Sequence, residues 1–256
     1  MTARFEAEPW LAVMIGNSRW HCAAFAGTRL LTTWERPQRT EWVGDRLPAD
    51  LRLASWRDHR EAPPVYLGSV VPAQTALWQT YPNLTALTLA DIPLGQSYPG
   101  LGIDRALALY GAGQIHGWPV LVIDAGTALT FTGGDRGGNL VGGAILPGLG
   151  LQLRSLAQET AALGAIALPK DLPSLWSQET GAAIAAGTVH GLLATIMLFL
   201  TDWWRQFPGS PVILTGGDAP QLADYLGQAD ADLASRLRVD PLLVFRGMQQ
   251  IRARRV

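Results

Sequence analysis

The apolar positions of this chain fall into short unbroken runs that stop at small-residue turns. Trp10-Leu11-Ala12-Val13-Met14-Ile15 reads as a buried strand, Gly16-Asn17-Ser18 as a tight turn, and Trp20 to Phe25 as a returning strand. Val120-Leu121-Val122-Ile123 repeats the scheme: Asp124 closes the run, Ala125-Gly126-Thr127 makes the turn, and Leu129-Thr130-Phe131-Thr132 returns. Residue 14 then lies over residue 124 at a constant offset of 110, which predicts two similar halves. Between them, Arg29 to Trp34 predicts a strand. Val65 to Val71 predicts another, stopped by Pro72, then a helix over Gln74 to Thr80 and a strand over Leu84 to Leu89. Gly95 to Gly102 is a Gly- and Pro-rich loop, and Ile103 to Tyr110 an alanine-rich helix that ends within Gly111 to Trp118.

The second half continues in the same alternation. Leu140 to Leu146 predicts a strand. Leu151 to Thr160 predicts a helix with Leu153, Leu156 and Ala157 on its apolar side. Thr180 to Gly187 reads as a small-residue helix, followed by a long apolar one reaching Phe207. Val212 to Thr215 is a strand, Gly216-Gly217-Asp218 a turn of the type that commonly holds a nucleotide, and Asp240 to Met248 a last strand entering a C-terminal helix. The expected class is α/β with two domains, residues 1–117 and 118–256.

Composition narrows the function. The 256 residues are 48% hydrophobic and 16% charged, enough for a sizeable core and incompatible with a disordered chain. A net charge of −1 argues against nucleic-acid binding, which needs a basic face. The single cysteine, Cys22, forbids an intramolecular disulfide and agrees with a cytoplasmic location. The first ten residues lack a signal peptide's apolar core. The most apolar segment, Gly191 to Leu200, is short of the roughly 20 residues that span a bilayer. His21, His59, His116 and His190 form no metal-binding spacing, and His21 reads first as a core or turn histidine.

The candidate chemistry lies at the turns. A carboxylate at a strand end, followed by Gly and a hydroxyl, as in Asp124-Ala125-Gly126-Thr127, suits phosphate or a metal ion, because glycine lets backbone N–H groups approach the ligand. With Met14-Ile15-Gly16-Asn17-Ser18, Gly102-Ile103-Asp104-Arg105, Asp124 to Thr130, Gly142 to Gly148, Thr180 before Ala182 to Gly187, and Thr215-Gly216-Gly217, the chain resembles the type III pantothenate kinases of the actin-like ATPase superfamily. Ser69 to Pro72 and Asp240 to Gly247 also fit.

The resemblance implies two ribonuclease-H-like domains, each a mixed five-stranded sheet flanked by helices. It implies a homodimer that phosphorylates pantothenate with ATP, the first step of coenzyme A synthesis, with Mg2+ and a monovalent cation, K+ or NH4+. Asp104 would be the general base, with Tyr98, Gly102, Ile103, Arg105 and Thr180 around pantothenate. Thr180 would come from the partner subunit. Met14 through His21 (Met14, Ile15, Gly16, Asn17, Ser18, Arg19, Trp20, His21) would form one phosphate segment and Gly126 and Thr127 the other, with Gly216 and Gly217 on the adenosine side. Asp124 would hold the monovalent cation. One position departs from the family: Met14 stands where the family carries an aspartate that helps place the divalent ion, and thioether sulfur is a poor magnesium ligand. That departure keeps open a regulatory nucleotide-binding protein of the same fold; a kinase of the same superfamily for another small alcohol is a third reading, against which the intact Asp104, Arg105 and Thr180 favour pantothenate.

Overall fold

The computed structural model describes residues 8–53, 56, 62–159 and 166–255. Thr160, His59 and the first seven residues, which entered the sequence reading, lie outside them. The chain divides into two compact units. The first comprises residues 1–93, 98–111 and 244–256, the second residues 94–97 and 112–243. This differs from a single cut at 117/118, because the last helix belongs with the N-terminal sheet.

In the first unit, β1 (Pro9–Ile15), β2 (Arg19–Ala26), β3 (Arg29–Pro37), β4 (Val65–Ser69) and β5 (Leu84–Ala86) form one sheet in the order β3-β2-β1-β4-β5. β1 to β3 are antiparallel, while β4 and β5 run parallel to β1. Alternation along β1 decides the two faces. Leu11, Val13 and Ile15 pack with Trp20, Cys22, Leu51, Leu67 and Trp78 in one core. Trp10 and Met14 face the other way, where Trp10 stacks on Phe25 at 4.3 Å and carries the Arg252 guanidinium 5.1 Å above its ring. This second face is covered by α2 (Ile103–His116) and α7 (Leu243–Arg255). The two helices meet where Gly247 lacks a side chain: a Cβ there would lie 2.1 Å from the Leu107 carbonyl oxygen.

In the second unit, β6 (Val120–Ala125), β7 (Ala128–Gly134), β8 (Leu140–Pro147), β9 (Val212–Thr215) and β10 (Leu237–Val239) form the order β10-β9-β6-β7-β8. Read from the other edge this is the arrangement of the first sheet, with β6 in the place of β1. Two antiparallel neighbours on one side and parallel strands on the other make each unit a ribonuclease-H-like domain. Around it lie α3 (Leu149–Glu159), α4 (Thr180–Gln206), α5 (Ala219–Ala229) and α6 (Ala231–Ala234). The short α1 (Pro72–Ala76) belongs to the first unit.

Several expectations need correction. The small-residue and apolar helices after Ser177 are one continuous helix, α4, of 27 residues. It is long and apolar enough to cross a membrane by length and composition. Nine of its residues, from Ala185 to Trp203, are nonetheless buried, and six of them, Val189, Leu192, Leu193, Ile196, Leu200 and Trp203, share the core with Ile123, Phe131 and Leu222. That burial accounts for its apolar character, each fully buried Leu or Ile being worth about 1.5–3 kcal/mol. Asp240 to Met248 is not a strand. The strand is Leu237–Val239, and from Leu243 the chain is helical. On α3 Leu153 is buried, but Leu156 is 42% exposed. The helix expected over Gln74 to Thr80 starts at Pro72 and stops at Ala76, whereas the one expected to end within residues 111–118 does so, at His116.

Candidate active site

The turn after β1 is closed by the Gly16 N–H donating to the Arg19 carbonyl at 3.0 Å. The Gln38 side-chain amide donates to the carbonyls of Gly16 (3.3 Å) and Asn17 (2.7 Å). The carbonyls of Gly16 and Asn17 are thereby engaged, as is the Gly16 N–H. Ile15 and Trp20 are fully buried, and the Trp20 indole donates to Gln74. Their side chains are therefore core, and only their backbone can serve a ligand.

Met14 is 4% exposed. It pairs with His21 on β2 and Gly68 on β4. A Cβ on Gly68 would lie 3.0 Å from Met14 Sδ, 2.9 Å from Met248 Cε and 3.1 Å from Leu107 Cδ1. The methionine is thus one of three apolar tips gathered over a glycine. Leu107 sits on α2 one turn after Asp104, so this packing ties the β1 strand to the helix that carries Asp104.

In the second unit, Asp124 has the position on β6 that Met14 has on β1: it is next to last on its strand and pairs with Thr130 and Thr215. Glycines crowd around it. At Gly216 φ is +94°. A Cβ there would come within 2.5 Å of the Ala125 backbone and of Asp124 Oδ1, so only glycine fits. The Asp218 N–H donates to Ala125 O at 2.9 Å and the Gly148 N–H to Thr127 O at 3.0 Å. The turns after β8 and β9 are therefore both pinned to the turn after β6. This brings Asp124, Gly126, Thr127, Gly216 and Gly217 together in one cradle. A hard carboxylate oxygen among close backbone groups fits a monovalent cation. Among the described residues no group of three or more His, Cys, Asp or Glu side chains comes together to hold a metal. A divalent ion here would rely on phosphate oxygens and water.

Asp104 stands in the first turn of α2, and its Oδ1 accepts the Arg105 N–H at 2.8 Å. Arg105 is 7% exposed and donates to the Tyr98 hydroxyl at 3.2 Å. Tyr98, Gly102, Asp104 and Arg105 thus lie together at the head of one helix, while the Ile103 side chain is buried. A Cβ on Gly102 would fall 2.4 Å from Asp104 Oδ1. Only a side-chain tip stands in its way, so Gly102→Ala rotates Asp104 off its mark while the fold survives. We expect turnover to drop at least about tenfold with an unchanged thermal midpoint. A matching fall in the midpoint would show a structural defect instead.

Thr180 opens α4, where Glu179 caps the helix by accepting the N–H groups of Gly181 and Ala182 at 2.9 and 2.7 Å. These two bonds hold the Glu179 carboxyl below its usual range. Thr180 lines an open concavity with Leu168, Pro173, Trp176 and Ala185.

Gln38 and Glu35, which have a part in these turns, were not read from the sequence, and Asp218 was read only as a member of the glycine turn. Gln38 and Glu35 lie far along the chain from the turn they touch, with no local signal. Asp218 carried one, an acid after two glycines at a helix start, but it does not cap its own helix. Its carboxylate instead accepts the Gly150 N–H. Burial pushes it above the usual carboxylate range, against the opposing effects of that bond and of Arg154.

Comparison with known proteins bears on the family and the fold. The family model of the type III pantothenate kinases matches residues 10–201. A type III pantothenate kinase of Nostoc sp. (strain PCC 7120) is 46% identical over 98% of this chain and 96% of its own. Among solved structures, a Baf family transcriptional activator from Campylobacter jejuni aligns with a TM-score of 0.62 at 22% identity, over 96% of this chain and 98% of its own. MreB5 of Spiroplasma citri, bound to ADP, aligns with a TM-score of 0.51 at 11% identity, over 97% of each. The two solved structures share the fold; the family model and the Nostoc relative go further, and the chain belongs to the type III pantothenate kinase family.

Proposed function

We propose that this protein transfers the γ-phosphoryl group of ATP to the primary alcohol of pantothenate, giving 4′-phosphopantothenate for coenzyme A synthesis. The observation that carries the reading, given the family, is the head of α2. There a carboxylate is fixed by a backbone N–H beside a buried arginine held by a tyrosine. Phosphoryl transfer needs positioning and charge neutralisation more than covalent help. Asp104 accepts the proton of the attacking hydroxyl, its Oδ2 being directed to substrate while Oδ1 stays on the helix. Arg105 and Tyr98 orient pantothenate, the guanidinium by its planar fork. Thr127 donates to ATP phosphates in the second unit, where Gly126 leaves room for their approach, and Asn17 and Ser18 do so in the first, at the turn that Gly16 opens. Gly216 and Gly217 admit adenosine to the backbone. Asp124 would hold K+ or NH4+, whose charge would offset that of the phosphates, and Mg2+ would accompany ATP. The working form is a homodimer in the cytoplasm, with Thr180 of one protomer reaching the pantothenate of its partner.

Purified protein with ATP, Mg2+ and pantothenate, assayed with and without K+, tests the reading; no phosphopantothenate under any condition overturns it. ATP binding without turnover would instead support the regulatory alternative, which the burial of Met14 favours.

Met14→Asp tests the departure from the family. An aspartate there enters the apolar contact of Leu107 and Met248, and burying an unpaired carboxylate is costly. We expect a lower thermal midpoint, partly restored by Mg2+ with ATP through mass action. A midpoint equal to that of the native chain would show that the site accepts a charge.

A further inference from the structure

Across one face of the first sheet, three strands place Met14, His21 and Glu35 side by side. Met14 is directly opposite His21 in the β1–β2 register, and His21 directly opposite Glu35 in the β2–β3 register. His21 Nδ1 lies 3.1 Å from Glu35 Oε1, and Arg19 pairs with the other oxygen, Oε2. With Nδ1 engaged, the imidazole turns Nε2 towards the phosphate turn. It lies 3.9 Å from the point a Cβ on Gly16 would occupy. The groups near the ring are Arg19 on β2, Glu35 on β3 and Met14 on β1. Beside Met14, over Gly68, come the apolar tips of Leu107 on α2 and Met248 on α7. Burial, with a smaller effect of Arg19, lowers the His21 pKa below its ordinary value of about 6.5; Glu35 works in the opposite direction. The free protein at neutral pH therefore carries a neutral imidazole whose Nδ1–H donates to Glu35.

We propose that His21 is a proton-linked phosphate-binding residue. As the nucleotide reaches the turn after β1, the imidazole takes one proton from solvent and donates from Nε2 to a phosphate oxygen, while Glu35 keeps Nδ1 and the ring plane fixed. An arriving polyanion supplies the opposite charge that favours the imidazolium form. A cation on β2 then stands one strand away from Met14, where the family's aspartate is missing. Part of the phosphate charge that a carboxylate-bound metal would neutralise is met by protein instead. The inference rests on the kinase reading for its ligand, and deepens it.

The experiment is titration calorimetry of the full-length protein with ADP at about pH 7.5, in two buffers of different ionisation enthalpy, for native, His21→Asn and Glu35→Gln proteins. Native protein is expected to take up a large fraction of one proton on binding. His21→Asn should lose that uptake and bind ADP about tenfold more weakly, the scale of one charge-assisted hydrogen bond. Glu35→Gln keeps an acceptor for Nδ1 but removes the charge that favours the imidazolium, so its uptake should be smaller. His21 is on a partly exposed strand position, and circular dichroism checks the fold of each variant. Should His21→Asn fail to fold, Glu35→Gln decides: uptake equal to native overturns the proposal. Native-like uptake and affinity in His21→Asn overturn it also, leaving the kinase reading standing. No ADP binding by the native protein overturns both.

Discussion

Asp104→Asn, at the proposed base, is expected to lower kcat for phosphopantothenate formation by about 10²- to 10⁴-fold and to leave ATP binding intact. The amide oxygen can still accept the Arg105 N–H that Oδ1 accepts at 2.8 Å, so the helix start is preserved. What is lost is the basic oxygen that takes the hydroxyl proton. Single-turnover assays with saturating ATP and pantothenate, set beside an ATP-binding titration, separate the two. A variant that binds ATP and turns over at the native rate would remove Asp104 as base, and a variant that no longer binds ATP would give it a structural role.

Gly148→Ala is expected to be the most damaging change in the second unit. The new Cβ would lie 2.2 Å from the Gly126 carbonyl oxygen and 2.8 Å from that of Thr127. Both obstacles are backbone, so no side chain can rotate away. The turn after β8 must lift from the turn after β6, breaking the 3.0 Å bond from Gly148 N–H to Thr127 O. Overpacking of this kind costs about 1–3 kcal/mol or more. Because the displaced groups are Gly126 and Thr127, the KM for ATP should rise together with a fall in thermal midpoint. Thermal unfolding and ATP kinetics on the same preparation check it, and native values in both would show that the two turns are not coupled. Gly102→Ala provides the contrast, since there the obstacle is the tip of Asp104 and the fold should hold.

How much of this was legible in the chain depends on the range of the interaction concerned. The strand–turn–strand runs at Trp10 to Phe25 and Val120 to Thr132 were readable because alternation and small-residue turns are local properties. The constant offset between them anticipated that Met14 and Asp124 are equivalent, as the registers of β1 and β6 bear out. Composition failed where burial was decided elsewhere. The α4 helix read as two helices because its first turns, Gly181 to Gly187, are small residues and the apolar run starts only after them, while the structure carries one helix through both. The last strand was misplaced by a few residues because Leu242 to Phe245 is apolar in either setting. Only its packing, with Gly247 against Leu107, makes it a helix.

By itself, the sequence determined the class of each element near the turns, the family, and the residue types at the proposed phosphate and substrate positions. These are set by runs of four to eight residues, within reach of local propensity and motif. The tertiary structure alone decided which glycines are obligatory. Those at 148 and 216 are forced by backbone from distant strands approaching within a bond length or two of where a side chain would start. It also decided that Met14 is packed against Leu107 and Met248, and that His21 is held by Glu35 from a third strand. Contacts across strands and between helices far apart in the chain are fixed by sheet order and by the space between elements, and neither is written in any one segment.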